Sequence, residues 1–453
     1  MRTVVNLIVL GVLSMAVVCP MAAKPSQPLE ELEVTKERFA TVEVRTDHGR
    51  FEYHLDNSGQ RDVSAALQAV FSEIAALEDV SATFTFLPGI FFIDAPVSVK
   101  IVSLELRGAG HGGLDVHGMN LKSGTIFQFG PNAGPNGITF HRAGHSKSFP
   151  AGESPWKYQN SKVAIEGMCF MGHNNTGVDT AKGYSRFRGD KPNFRGLHWY
   201  PAKSRYADPE KEGQRALVFP KGWKNELLRV NNCFFTDLYV GLELDHCDVS
   251  YITDSWFAQM TYGIRIKGSA PVAMIENNCF ADLETAVTLG DAKASNLNGN
   301  GFAYVSKCFE IGRIAHSTIS NNTVDGWKLS TGAAAFGAFC YIGASENLSM
   351  IGNSINWDVD ARAKTRTVDE TPNGRHFIQI EHSKNLMFAN NVVDTIQSQT
   401  VVRLHNVTNS VITDNLITFG RGGNAVAQTG TCSGNYYRPV DPEKSVPFDA
   451  LRQ

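Results

Sequence analysis

The chain has 453 residues, 42% of them hydrophobic and 19% charged, with 41 glycines and a formal net charge of -3. This composition excludes a wholly disordered chain, a collagen and a coiled coil, and it leaves enough apolar material for a large core, in several ordinary domains or one solenoid. So small a net charge attracts neither nucleic acid nor an anionic membrane globally, so electrostatic recognition must rest on local patches.

Arg2 precedes an apolar run from Val4 to Val18, followed by Pro20, Ala22 and Ala23. That is the layout of a secretory signal peptide over 1–23, with the mature chain beginning near Lys24. The run is short for a membrane span and no later segment reaches the roughly eighteen apolar residues a span needs. The expectation is a secreted or periplasmic protein with no membrane partner after leader removal. Cys19 follows Ala16-Val17-Val18, which fits a lipid-attachment signal poorly, so it reads as part of the apolar run. The other seven cysteines have no CxxC pair and no zinc-like spacing. They are expected to fill core positions, and no metal or cofactor is predicted.

Residues 24–60 read as an N-terminal extension, and 61–435 as one folded body. Behind Asp62, apolar side chains recur at Val63, Leu67, Val70, Phe71, Ile74 and Leu77, predicting a capping helix over 62–77. Residues 83–93 then read as a strand, a Pro88-Gly89 turn and a second strand. The segment 182–229 carries twelve basic residues against five acidic ones, a local excess of +7, interleaved with aromatics. Arg186, Arg188, Arg195, His198, Trp199 and Tyr200 are its candidate substrate-binding residues, since rings stack on sugar faces and guanidinium groups bond hydroxyls or carboxylates. The alternative is a solvated excursion whose aromatics pin it to the body.

A weak repeat runs through the rest of the chain to residue 435, leaving a tail at 436–453. Its marker is a polar turn residue before an apolar one: Asn232-Cys233-Phe234, Ser255-Trp256-Phe257, Asn278-Cys279-Phe280, Asn300-Gly301-Phe302, Asn322-Thr323-Val324, Asn353-Ser354-Ile355, Asn391-Val392-Val393 and Asn415-Leu416-Ile417. The first four steps, counted from Phe234, are 23, 23, 22 and 22 residues. Short alternating strands follow the markers, such as Gly241-Leu242-Glu243-Leu244 and Gly263-Ile264-Arg265-Ile266. A strand that recurs every coil pairs in parallel with its copy about 4.8 Å away, so the predicted fold is all-β, a right-handed parallel β-helix. Phe234, Phe257, Phe280 and Phe302 are expected to form one interior column, with Cys233 and Cys279 in equivalent places.

The helix, the strand ending in Leu87-Pro88-Gly89 and the Asn-marked coils together resemble the pectate-lyase-like superfamily of β-helix proteins, most of which act on polysaccharides. Two stretches are most similar to the inulin fructotransferases, which form difructose dianhydrides, and to their relatives that hydrolyse those products. Leu106-Arg107-Gly108-Ala109-Gly110-His111-Gly112-Gly113 looks like their Gly-x-Gly-His-Gly turn, and Cys233 to Gly268 lies along their central coils without a gap. The resemblance implies a homotrimer, and a catalytic Asp paired with a Glu eleven positions later. Asp254 matches the first, whereas Arg265 stands at the second and cannot act as that acid. His111 has a second reading, as a satisfied structural histidine.

Glycoside cleavage needs two converging carboxyl groups. Glu243-Leu244-Asp245, with Asp254 in the next turn, supplies candidates: Asp254 or Asp245 as general base or nucleophile and Glu243 as acid, with Arg265 and Lys267 binding substrate. Stacking also places Glu243 one coil from Arg265 and Asp245 one coil from Lys267, so a ladder of opposite charges is the competing reading. The basic pair suits a third chemistry, β-elimination from a uronate polymer, which would bring calcium as a cofactor. A noncatalytic glycan-binding or structural β-helix completes the alternatives. In each glycan-directed reading the partner is a polysaccharide or oligosaccharide, and none involves nucleic acid.

Overall fold

The computed structural model describes residues 39–77, 80–112, 114–115, 118–119, 124–141, 161–173, 208–220, 225–305, 307–327, 340–356, 376–394, 400–418 and 424–438. The expected leader, Cys19 and the stretch 182–207, with Arg186, Arg188, Arg195, His198, Trp199 and Tyr200, lie outside them.

The alternating strands stack in parallel into three sheets that wrap one core. Sheet A runs from Gly89–Ile93 to Leu416–Thr418, sheet B from Val97–Val99 to Asn424–Thr429, and sheet C from Ser81–Phe86 to Tyr436–Tyr437. This is the right-handed parallel β-helix. Helix α1 (Ser64–Ala75) forms where the apolar spacing predicts it and buries Leu67, Val70, Phe71 and Ile74. Asp62 supports its start by accepting from the Ser64 amide at 2.9 Å and from the Ser64 hydroxyl. Residues 39–56 form an antiparallel hairpin whose first strand pairs with Ser81–Phe86. The Phe71 and Phe84 rings, 4.9 Å apart, tie helix to sheet C.

Inside sheet A, Phe91, Phe127, Phe170, Phe235, Phe257, Phe280 and Phe302 align coil upon coil, and the column continues as Val324, Ile355, Val393 and Ile417. From Phe170 to Phe302 successive rings lie 4.7 to 5.1 Å apart and within 17° of parallel. One expectation is corrected here: the member from the 232–236 coil is Phe235, not Phe234, so the first step is 22 residues. Phe234 points outward and packs with Ile126, Cys169, Met171 and the Trp256 ring at 5.8 Å.

The reason for the shift lies in the polar ladder beside the column. Asn278, Asn300, Asn322, Asn353, Asn391 and Asn415 are buried, and each Oδ1 accepts the backbone N–H of the ladder residue one coil before, at 3.0 to 3.1 Å. Ser255 holds the same place one coil earlier, and its hydroxyl accepts from the Cys233 amide at 3.1 Å. Cys233 is therefore the ladder member of its coil. Asn232 falls in the preceding turn with φ 50°, in line with Asp254 (51°), Asn277 (57°) and Asn321 (54°), a conformation Asn and Asp tolerate better than other residues with a Cβ. Cys279 consequently stands with Trp256 on the outer face, out of register with Cys233.

Candidate functional site

Sheet B turns a polar face outward. Leu242 and Leu244 point into the core, so Glu243 between them points out, and its register partner one coil on is Arg265, as the repeat predicts. Glu243 is nevertheless only 8% exposed. Its Oε2 takes Arg215 Nε at 3.1 Å and lies 3.6 Å from an Arg265 nitrogen, while Oε1 takes Lys267 Nζ at 2.9 Å. Lys267 thus reaches Glu243, not Asp245.

Residues that periodicity does not single out complete the cluster. Glu210, on the short helix Pro209–Glu212, meets Arg215 at 3.2 Å and Arg265 at 2.8 Å and accepts from the Tyr239 hydroxyl at 2.9 Å. Arg215 also donates to the Glu210 and Gly213 carbonyls at 2.6 and 3.1 Å. Its guanidinium lies over the Tyr239 ring at 5.4 Å, and that of Arg265 over Tyr262 at 4.7 Å. Arg215 pairs along the strand with Val240 and reaches Glu243 diagonally, so counting coils does not find it.

Three cations, Arg215, Arg265 and Lys267, face the two carboxylates of Glu210 and Glu243. Burial pushes the Glu210 carboxyl up, but hydrogen bonds from Arg265 and Tyr239 and the charges of Arg265 and Lys267 outweigh it and hold the group at about 2, against an ordinary 4.5. Burial pushes the Tyr239 phenol up and the bond to Glu210 adds to it, so Tyr239 stays a donor at neutral pH. The pH consequence follows from the sign: a carboxyl lowered by folding stabilises the protein fully above about 4.5, and that contribution fades as pH falls towards 2. Glu210→Gln should therefore flatten acid unfolding in that window, read as circular dichroism against pH, while wild type keeps its slope.

The other candidates are not gathered here. Asp245 is half-buried at the end of the strand, its backbone N–H bonded to Phe219 O at 2.9 Å, and its carboxylate makes no ion pair among the described residues. Asp254 is exposed at the corner between sheets C and A, in the left-handed turn stack described above, while Glu243 lies on sheet B. The glycine turn has a structural basis: a Cβ on Gly108 would lie 2.2 Å from the Gly167 carbonyl oxygen. His111 follows it, 6.2 Å from the Phe234 ring, with Nδ1 buried and unpartnered; burial lowers its pKa.

The corner leading from sheet A into sheet B carries the longest connection, 172–214 between Met168–Met171 and Arg215–Phe219. Glu210 enters the cluster at its end. Among the described residues no helix is long and apolar enough to cross a membrane.

Residues 210–371 match the family model described as periplasmic copper-binding protein (NosD), over a third of the chain. No curated protein matches the sequence. Among solved structures, DFA-IIIase from Arthrobacter chlorophenolicus A6 in complex with GF2 is similar with a TM-score of 0.53 at 15% identity, covering 83% of this chain and 89% of that one. The same protein without its lid, also with GF2, gives 0.53 at 13%, covering 82% and 90%. At such identity the likeness is one of fold, and the fold shared is the right-handed parallel β-helix.

Proposed function

We propose that the protein is an exported carbohydrate-active enzyme that cleaves or rearranges glycosidic bonds, with fructans and difructose dianhydrides as the first substrates to test. The observation that carries this reading is the convergence of Glu210, Glu243, Arg265 and Lys267 with two tyrosines on the outer face of sheet B. The likeness in fold to DFA-IIIase supports it. The word periplasmic in the NosD description agrees with the leader expected at 1–23.

In this reading Asp245, free of ion pairs among the described residues, serves as base or nucleophile, and Glu243, held by Arg215 and Lys267, orients a substrate hydroxyl instead of acting as the acid expected from the sequence. Lys267 stands at the rim, 39% exposed, and is the partner that a substrate hydroxyl can displace from Glu243 Oε1. Arg265 is occupied by both glutamates, which weighs against its meeting the carboxylate of a uronate. Copper does not fit: among the described residues no three His, Cys, Asp or Glu side chains are placed to hold a metal, and Cys233, Cys247, Cys308 and Cys340 are buried with thiols pushed up by desolvation.

The test is to incubate purified protein with inulin, difructose dianhydrides, pectate and alginate. Cyclic or free fructosides support the reading; unsaturated products absorbing in the near ultraviolet indicate β-elimination, and silence across a wide glycan panel indicates a noncatalytic protein. Asp245→Asn should lower kcat/KM by about 100-fold or more, the usual scale for losing a general base, and Glu243→Gln should weaken substrate binding. Asp254→Asn is expected to keep turnover, because its turn accepts Asn, and a large loss there would return Asp254 to the machinery.

A further inference from the structure

A second polar patch lies on the same outer face, further along the solenoid. Glu310, Tyr341, Gln379 and Arg403 occupy one vertical register over four successive coils, each flanked by side chains that point into the core. Glu381, two residues beyond Gln379, faces outward with it. The Tyr341 hydroxyl donates to Glu381 Oε2 at 3.2 Å and Gln379 Nε2 donates to Oε1 at 2.5 Å, so both carboxylate oxygens are held by neutral donors. Gln379 itself is 7% exposed. Burial and the neighbouring Glu381 and Glu310 charges push the Tyr341 phenol up, which keeps it a donor.

This patch differs in kind from the Glu243 cluster. There every carboxylate is bound by cations; here Glu381 forms no ion pair among the described residues, and neither does Arg403. Lys307 Nζ is 3.0 Å from Glu310 Oε1, so those two charges cancel, and among the described residues Glu381 and Arg403 are left without an ion pair. Arg403 stands one coil on from Gln379, the residue that holds Glu381, and a carboxylate and a guanidinium on one outer face suit neighbouring hydroxyls, which both accept and donate. Among the described residues the patch has no cationic excess that would favour a polyanion.

We propose that Glu381 and Arg403, with Glu381 oriented by Tyr341 and Gln379, form a subsite that binds the hydroxyl groups of a neutral oligosaccharide. The proposal rests on the carbohydrate reading above and names its substrate class. The test is isothermal titration of the full chain with inulin, xylan and cellulose oligosaccharides, and separately with oligogalacturonate and oligoalginate. At least one neutral series should bind. Glu381→Gln and Arg403→Ala should each weaken its Kd by about tenfold or more, the loss expected for one charge-assisted hydrogen bond, without shifting the thermal melt. Tyr341→Phe should weaken it less, because Tyr341 positions Glu381. Neutral binding that survives both Glu381→Gln and Arg403→Ala within threefold overturns the subsite and leaves the carbohydrate reading standing, as does tighter binding of the uronates. No binding of any saccharide, with no turnover on the same panel, removes both.

Discussion

Asn322→Ala is expected to destabilise the protein by about 3–5 kcal/mol, the sum of two or more buried polar groups each losing a partner. Asn322 Oδ1 accepts from the Asn300 backbone and side-chain amides, both at 3.0 Å, and its Nδ2 donates to Leu297 O and Asn353 Oδ1, both at 2.9 Å. Removing the amide strands the Asn300 N–H and the Leu297 carbonyl, in a place where Asn322 itself is 2% exposed. Because each ladder residue serves its neighbours on both sides, the damage spreads beyond one coil. Asn322→Asp is expected to do no better, since a carboxylate facing the Leu297 carbonyl would replace a donor by a second acceptor. Urea denaturation followed by circular dichroism measures both, and a loss under about 1 kcal/mol for the Ala variant would show that the ladder is relaxed by water or rearrangement.

The second large effect is expected at Arg215. Its side chain is 6% exposed and holds Glu243, which is itself 10% exposed at the side chain. Arg215→Leu leaves that carboxylate with Arg265 at 3.6 Å and Lys267 at the rim, and the cost is about 3–5 kcal/mol for breaking a buried pair from one side. Arg215→Leu with Glu243→Leu should recover part of the loss, since an apolar pair of similar volume replaces the half-paired buried carboxylate while Arg265 keeps Glu210. A double variant as unstable as the single one would mean that the guanidinium is needed for its bonds to the Glu210 and Gly213 carbonyls, not for its charge. Melting the three proteins side by side separates these outcomes.

Both effects show where coil counting succeeds and where it fails. Glu243 over Arg265 was readable because both lie on adjacent coils of equal length and the outward position follows from alternating leucines and isoleucines. Glu310, Tyr341 and Gln379 share one register just as strictly, but the gaps of 31 and 38 residues between the later markers hide it from a repeat near 22. Arg215 and Glu210 were counted among the charges of the 182–229 segment, yet nothing in their spacing indicates that they fold back over Glu243. The one-residue slip at Phe234 has a similar origin: Asn232 looks like a ladder asparagine, and only the hydrogen bond from Cys233 to Ser255 shows that the cysteine holds that place.

What the chain's own pattern determined was the solenoid. Recurrent turn residues with a left-handed preference, alternating strands and buried amides each specify a coil locally, and identical coils have no other way to bury their faces than to stack. What tertiary structure alone decided was the charge state of the outer face. Whether a glutamate is free to meet a sugar or is already held depends on Arg215 reaching Glu243 diagonally and on Glu210 meeting Arg265 across 55 residues, at distances near 3 Å, and no periodicity in the sequence encodes those two contacts.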